Sequence, residues 1–161
     1  MQYLSYLSSP LGTLTLGSDG TALTMLQLRK LPLQPGQILT DNLPVWGPVQ
    51  SWLDAYWQGQ NPGTCPVSLR PAGTGFQKQI WKLLMEIPYG RTVTYGQLAA
   101  MAGRSPLCSQ AVGGAVGRNP IALLIPCHRV VGRGGRLTGY AYGLSAKKYL
   151  LDLERAGFQS K

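Results

Sequence analysis

The chain has 161 residues, is 44% hydrophobic, and carries 15 bases against six acids for a net charge of +9. That length suits one ordinary domain or two small ones, and no window reaches the roughly 18 uninterrupted apolar residues of a membrane span. The start, MQYLSYLSSPLG, lacks both the basic segment and the long apolar run of an export signal, so we expect a cytoplasmic protein, in a prokaryotic cytosol or, in a eukaryote, nuclear.

The first thirty residues predict antiparallel strands: Tyr3 to Leu7, an alternating Thr13 to Leu16, a turn at Ser18-Asp19-Gly20, and Leu23 to Leu28. Residues 31 to 48 contain Pro32, Pro35, Pro44 and Pro48 and predict a loop. Val49, Trp52, Leu53, Tyr56 and Trp57 fall at helical spacing, which predicts an amphipathic helix covering one face of the sheet. Turn formers crowd residues 59 to 75, so we place the end of a first domain, 1–72, there, with a linker from about 59.

Charge changes at the same place. Through residue 72 three bases balance three acids; beyond it twelve bases face three acids, so the whole excess lies in a second domain, 73–161. Such a concentration suits a surface that meets phosphates, although a basic surface with no specific partner has the same charge.

In that second domain, Thr74 with Gln77 forms a capping box ahead of a helix carrying Phe76, Ile80, Leu83, Leu84 and Ile87, which stops at Pro88-Tyr89-Gly90. A second box, Thr94 with Gln97, opens a short helix closed by Gly103, and Ser105-Pro106 starts another over Leu107 to Val116. Two short helices joined by a tight turn outline a helix-turn-helix. Gly113 and Gly114 inside the second helix each cost about 1 kcal/mol relative to alanine. What offsets that is close approach of a backbone, either to a neighbour within the domain or to DNA.

Asn119-Pro120 ends this helix, and Ile121 to Ile125 predicts a buried strand running into Pro126-Cys127-His128-Arg129. Arg133 to Arg136, RGGR, makes a basic turn between Val130-Val131 and Leu137-Thr138 like a wing, and a last helix spans Ala146 to Ala156. The fold class is α+β: a small N-terminal antiparallel sheet with a helix, then a mainly helical, winged helix-turn-helix-like domain.

Cys127 stands beside the only histidine, His128. Nearby positive charge or a histidine turns a thiol into a nucleophile by lowering its pKa, but in a regular strand the next side chain points to the opposite face, so contact needs a bend or a bridging water. Pro126 makes such a bend plausible. Cys65, Cys108 and Cys127 are odd in number and distant in sequence, which excludes a disulfide framework. Adjacent Cys and His side chains rarely converge on one ion, so no metal is expected. One histidine also excludes the papain-type pair with a distant His, and the zinc deaminase pattern is absent. A single-thiol nucleophile and an inert buried cysteine both remain.

PCHRV (126–130), with AVGGAVGRNP before it and TGYAYGLSAKKYLLDLE after it, resembles the O6-alkylguanine-DNA alkyltransferases from about Phe76 to Gly157. The resemblance implies that Cys127 takes a methyl or other small alkyl group from O6 of guanine, and from O4 of thymine, in a single turnover without cofactor or metal. By the same resemblance, His128 takes the thiol proton through a water, Glu154 orients His128, Asn119 holds the turn, and Tyr95 presses on the phosphate beside the lesion and on the leaving O6. Val130, Tyr140, Ala141, Tyr142 and Lys147 would form the base pocket, and Arg129 is structural.

The implied partner is double-stranded DNA, bound by a monomer through the minor groove with the base flipped out. Gln110, Ala111, Gly113 and Gly114 would enter the groove, too narrow at about 6 Å for large side chains, and Arg118, Arg133 and Arg136 would meet phosphates. Three positions depart from the family pattern. Gln110 replaces an arginine that fills the gap left by the flipped base, Tyr142 replaces a glycine and narrows the pocket against benzyl groups, and Ala141 offers no hydroxyl. Some relatives lack the cysteine and only bind lesions, so a non-catalytic lesion-binding or helix-turn-helix module is the alternative.

Overall fold

The computed structural model describes residues 2–159, the side chain of residue 159 excepted. The chain divides into two compact units, one of residues up to Ala72 together with Pro120–Ala122, the other of Gly73–Asn119 and the residues from Leu123 onward. No described helix is long and apolar enough to cross a membrane.

In the first unit, strands β1 (Gln2–Ser9), β2 (Gly12–Ser18), β3 (Leu23–Gln27) and β4 (Gln37–Leu39) form one sheet in the order β3-β2-β1-β4. The hairpins are antiparallel as expected, with Leu7 opposite Leu14 and Leu16 opposite Leu26. The Asp19 carboxylate accepts from the amides of Thr21 and Ala22, closing the second turn. β4 departs from the expected loop and runs parallel to β1, with Tyr3 opposite Ile38, so the sheet is mixed.

Simple alternation also fails in the central strand. Thr15 is as buried as Leu14 and Leu16, because its hydroxyl donates to the Arg29 carbonyl at 2.8 Å and accepts from the Leu31 amide at 2.9 Å. The segment after β3 thus covers the face expected to be open. Helix α1 (Trp46–Trp57) buries Trp46, Val49, Trp52, Leu53 and Tyr56, with Trp52 and Tyr56 stacked at 5.4 Å. Pro48, read as a loop residue, lies in its first turn, where a missing N–H costs nothing.

The outer edge of β3 is closed by two pieces of chain. Leu69 bridges Leu23, and Ile121 bridges Leu26, the Leu26 amide donating to the Pro120 carbonyl and the Ala122 amide to the Leu26 carbonyl. An open edge would be a template for pairing with other chains. Residues 121 to 125 are therefore not the continuous strand expected: Ile121 makes that bridge, then the backbone turns. Leu123 holds a positive φ of 71°, a conformation rare for a branched residue and kept only where the surroundings impose it.

In the second unit both capping boxes form, at Thr74 for α2 (Gly75–Leu84) and at Thr94 for α3 (Tyr95–Met101). Ser105 caps a short 3-10 turn, Pro106–Cys108, which leads into α4 (Ser109–Gly117). Trp81, absent from the expected apolar stripe, is fully buried and donates its indole N–H to the Ala115 carbonyl at 2.8 Å, tying α2 to α4. Strands β5 (Val93–Thr94) and β6 (Val130–Val131) pair in parallel. β6 therefore does not make a hairpin with Leu137-Thr138; the basic turn is closed instead by the Gly132 amide on the Arg136 carbonyl at 2.7 Å. The last helix, α5 (Leu144–Gln159), is longer at both ends than expected and runs through Gly157.

Candidate active site

Cys127, His128 and Arg129 form one 3-10 turn rather than a strand, and all three are buried. Pro126, at φ −81° and ψ 67°, sets it up: this is the inverse γ-turn conformation, in which the Cys127 amide donates to the Ile125 carbonyl at 2.8 Å. The Asn119 side-chain amide donates to the same carbonyl at 2.7 Å. The end of α4 thereby holds the turn that presents the thiol.

Behind the thiol lies a buried ionic cluster. The Glu154 carboxylate, on α5, accepts from His128 Nε2 and from Arg129 Nε at 2.8 Å, and also meets Arg129 Nη2 at 3.3 Å and the Gly90 amide at 3.2 Å. Arg129 further donates to the Ile87 carbonyl at 2.7 Å. Burial pushes the Glu154 pKa up, but the His128 bond and the Arg129 charge outweigh it and hold the carboxyl at about 2. Burial, in turn, pulls His128 below its ordinary value despite Glu154, so the imidazole is neutral at neutral pH. With Nε2–H on the carboxylate, Nδ1 is its basic nitrogen.

Gly90 is required there. Its φ is +79°, and a Cβ would come within 2.6 Å of Phe158 on α5, so no other residue fits beside the carboxylate without displacing the helix.

In front of the thiol is a cavity of about 210 Å³ lined by Cys127, Asn119, Tyr95, Tyr140, Tyr142 and the Gly113 face of α4, with Ala141 at its wall. Burial raises the Cys127 pKa, opposed by side-chain hydrogen bonds from Asn119 and Tyr140 and by the Lys147 charge. The resting group is therefore a thiol that must lose its proton to react. Burial likewise raises the Tyr95 pKa, and its hydroxyl donates to the Thr138 carbonyl at 3.4 Å; this phenol keeps its proton at neutral pH.

Two residues assigned to the pocket are elsewhere. Val130 is fully buried in β6 behind the site, and Lys147 lies behind the wall, donating to the Thr138 and Gly139 carbonyls at 3.2 Å each. Val116 and Gly117 line the cavity and were missed; their spacing of three and four from Gly113 was the available signal. Arg129 was assigned a structural part, and its direct hold on Glu154 has no sequence signature. Tyr142 meets Tyr140 edge-to-face at 5.4 Å and takes up pocket volume. Tyr142→Gly is expected to raise the rate with free O6-benzylguanine about tenfold; an unchanged rate would show that Tyr142 does not limit the pocket.

The adjacent glycines of α4, Gly113 and Gly114, face different ways. A Cβ on Gly113 would meet the Tyr95 ring at 3.6 Å, whereas one on Gly114 would meet nothing within 4 Å. Gln110, Ala111, Gly114 and Arg118 share the exposed side of the helix, while Val112, Ala115 and Val116 are buried. Arg133 and Arg136 are exposed on their turn. Among the described residues no group of His, Cys, Asp and Glu is placed to hold a metal ion.

The chain is similar to known proteins over nearly its whole length. Residues 75–156 match the model for the DNA binding domain of 6-O-methylguanine DNA methyltransferase, and residues 2–68 match the model for its ribonuclease-like domain. A methylated-DNA--protein-cysteine methyltransferase of Haemophilus influenzae is 41% identical, covering 99% of this chain and 89% of the relative; one of Methanosarcina acetivorans is 42% identical, covering 94% and 97%. The crystal structure of Mycobacterium tuberculosis OGT in complex with DNA superposes with a TM-score of 0.88 at 37% identity, covering 96% of this chain and 94% of that one. The chain belongs to the 6-O-methylguanine DNA methyltransferase family.

Proposed function

We propose that this protein repairs DNA directly, moving a methyl or other small alkyl group from O6 of guanine to Sγ of Cys127. The observation that carries this reading is the thiol at the floor of an apolar cavity, backed by a buried His128–Glu154 pair. The His128 imidazole takes the thiol proton through a water, and Glu154 stabilises the imidazolium that forms. Sγ then attacks the alkyl carbon, the carbon–O6 bond breaks, the electron pair left on the base is met by the Tyr95 hydroxyl proton, and the proton that His128 releases to solvent is balanced by the one that Tyr95 regains. The product is guanine and a thioether.

No group in the site can cleave a thioether, so each molecule acts once. O4-alkylthymine presents the same alkyl–oxygen bond and is a second substrate. The target must leave the base stack, at a cost of a few kcal/mol. The flat exposed side of α4 enters the minor groove, where Gln110 fills the vacated space by hydrogen bonding. Arg118, Arg133 and Arg136 neutralise phosphates, and the DNA substrate puts the protein where DNA is, in a prokaryotic cytosol or a eukaryotic nucleus.

Two results test this. Methylguanine lost from a duplex, counted against protein added, should reach one lesion per molecule and stop; turnover beyond that contradicts the single-use account, and DNA affinity without loss supports a lesion-binding module instead. Log affinity should fall linearly with log salt, and Arg118→Ala should reduce the slope by about one. A slope identical to the parent's would remove Arg118 from the phosphate contacts.

A further inference from the structure

Lys147 is fully buried on α5. An ammonium removed from water is costly unless its charge is met. Its Nζ finds two backbone carbonyls, Thr138 and Gly139, at 3.2 Å, and the faces of Tyr95 and Tyr140, each centroid 5.9 Å away. These satisfy its donors and leave its charge uncancelled: among the described residues no carboxylate pairs with it.

The other charges around the thiol already balance. Glu154 and Arg129 cancel, and His128 and Tyr95 are neutral at neutral pH. Asn119 and Tyr140, which with Lys147 hold the thiol's pKa down against burial, carry no charge. The buried site therefore has one net positive charge while Cys127 is a thiol, keeps it while His128 holds the thiol proton, and has none once His128 has passed that proton to solvent. The two rings that Nζ faces, Tyr95 and Tyr140, line the same cavity as Cys127, so the ammonium and the sulfur lie on either side of one aromatic wall, and each favours the other's ionised form.

We propose that Lys147 is the counter-charge of the Cys127 thiolate, and that the same ammonium ties the 138–139 wall of the base pocket in place. This deepens the alkyl-transfer reading and rests on it for its purpose, though the coupling itself requires no DNA. Lys147 is a positioning residue: it reaches the reaction through the sulfur and through the Thr138 carbonyl, which also accepts from Tyr95.

The test is reciprocal titration without DNA. The Lys147 side-chain resonance is followed by NMR in the parent and in Cys127→Ser, and the thiol is titrated by its alkylation rate with iodoacetamide in the parent and in Lys147→Met and Lys147→Arg. Linkage requires equal and opposite shifts. The Lys147 pKa should fall in Cys127→Ser, and the thiol pKa should rise by the same amount in Lys147→Met, with thiolate about tenfold scarcer below the pKa for each unit. Lys147→Arg, which keeps the charge, should stay near the parent.

Lys147 titrating identically with and without the thiol overturns the proposal. So does a Lys147→Met thiol that titrates like the parent's. If Lys147→Met does not fold, the Cys127→Ser arm decides alone. A protein that showed the coupling yet took no methyl group from DNA would keep this inference and lose the functional reading; the reverse result would do the opposite.

Discussion

Replacing Glu154 with glutamine lowers the single-turnover rate at neutral pH by at least about 100-fold, the lower range for a lost acid–base device. It also destabilises the unit containing it by about 3 kcal/mol, the cost of leaving a buried charge without its partner. Both effects come from one side chain because the carboxylate faces His128 and Arg129 together. The amide no longer stabilises the imidazolium that must form as the thiol loses its proton, and Arg129, 8% exposed, keeps a charge that nothing cancels. Rapid-quench methyl transfer and denaturant unfolding measure the two; a rate within about threefold of the parent, less than one kcal/mol of barrier, would remove Glu154 from the activation.

The pH dependence of stability has a definite sign. Folded Glu154 has its pKa depressed to about 2, so its contribution is complete above the unfolded value of about 4.3 and is lost as pH falls toward the folded one. His128 is also depressed, so its neutral, buried state favours folding above about pH 6.5 and opposes it increasingly as pH falls. Acid should thus destabilise the fold in two stages, with the upper stage missing in His128→Gln.

Local signals in the sequence marked the helix starts well. The Thr74 and Thr94 boxes need only residues three apart, and both form. What escaped sequence reading depends on distant chain. Leu69 and Ile121 find β3 through backbone bonds that no side-chain pattern announces, and Thr15 is buried because residues 29 to 31 fold over it. At the site, the meeting of His128 with Glu154 was legible through a family pattern, whereas the form of the turn that carries Cys127 and His128 was not. Pro126 suggested irregular backbone and the family pattern pointed to Asn119, but neither showed a 3-10 turn, which Asn119, just past the end of α4, steadies through the Ile125 carbonyl. Arg129 and Lys147 owe their surroundings to α5 and to the carbonyls it meets.

The second large effect is at the nucleophile. Cys127→Ala should abolish methyl transfer altogether, because the other two cysteines, Cys65 and Cys108, do not line the cavity. Affinity for a duplex carrying the lesion should persist, since the exposed side of α4 and the arginines are untouched. Loss of binding together with transfer would instead mean that the substitution had disturbed the turn.

The most direct measurement is the mass of the intact protein, and then of its Cys127 peptide, after incubation with duplex DNA containing one O6-methylguanine. The account predicts that the parent gains the mass of a single methylene, located on Cys127, while Cys127→Ala gains nothing. An unmodified Cys127 in a protein that has bound the lesion, or a methyl group on another residue, would contradict it.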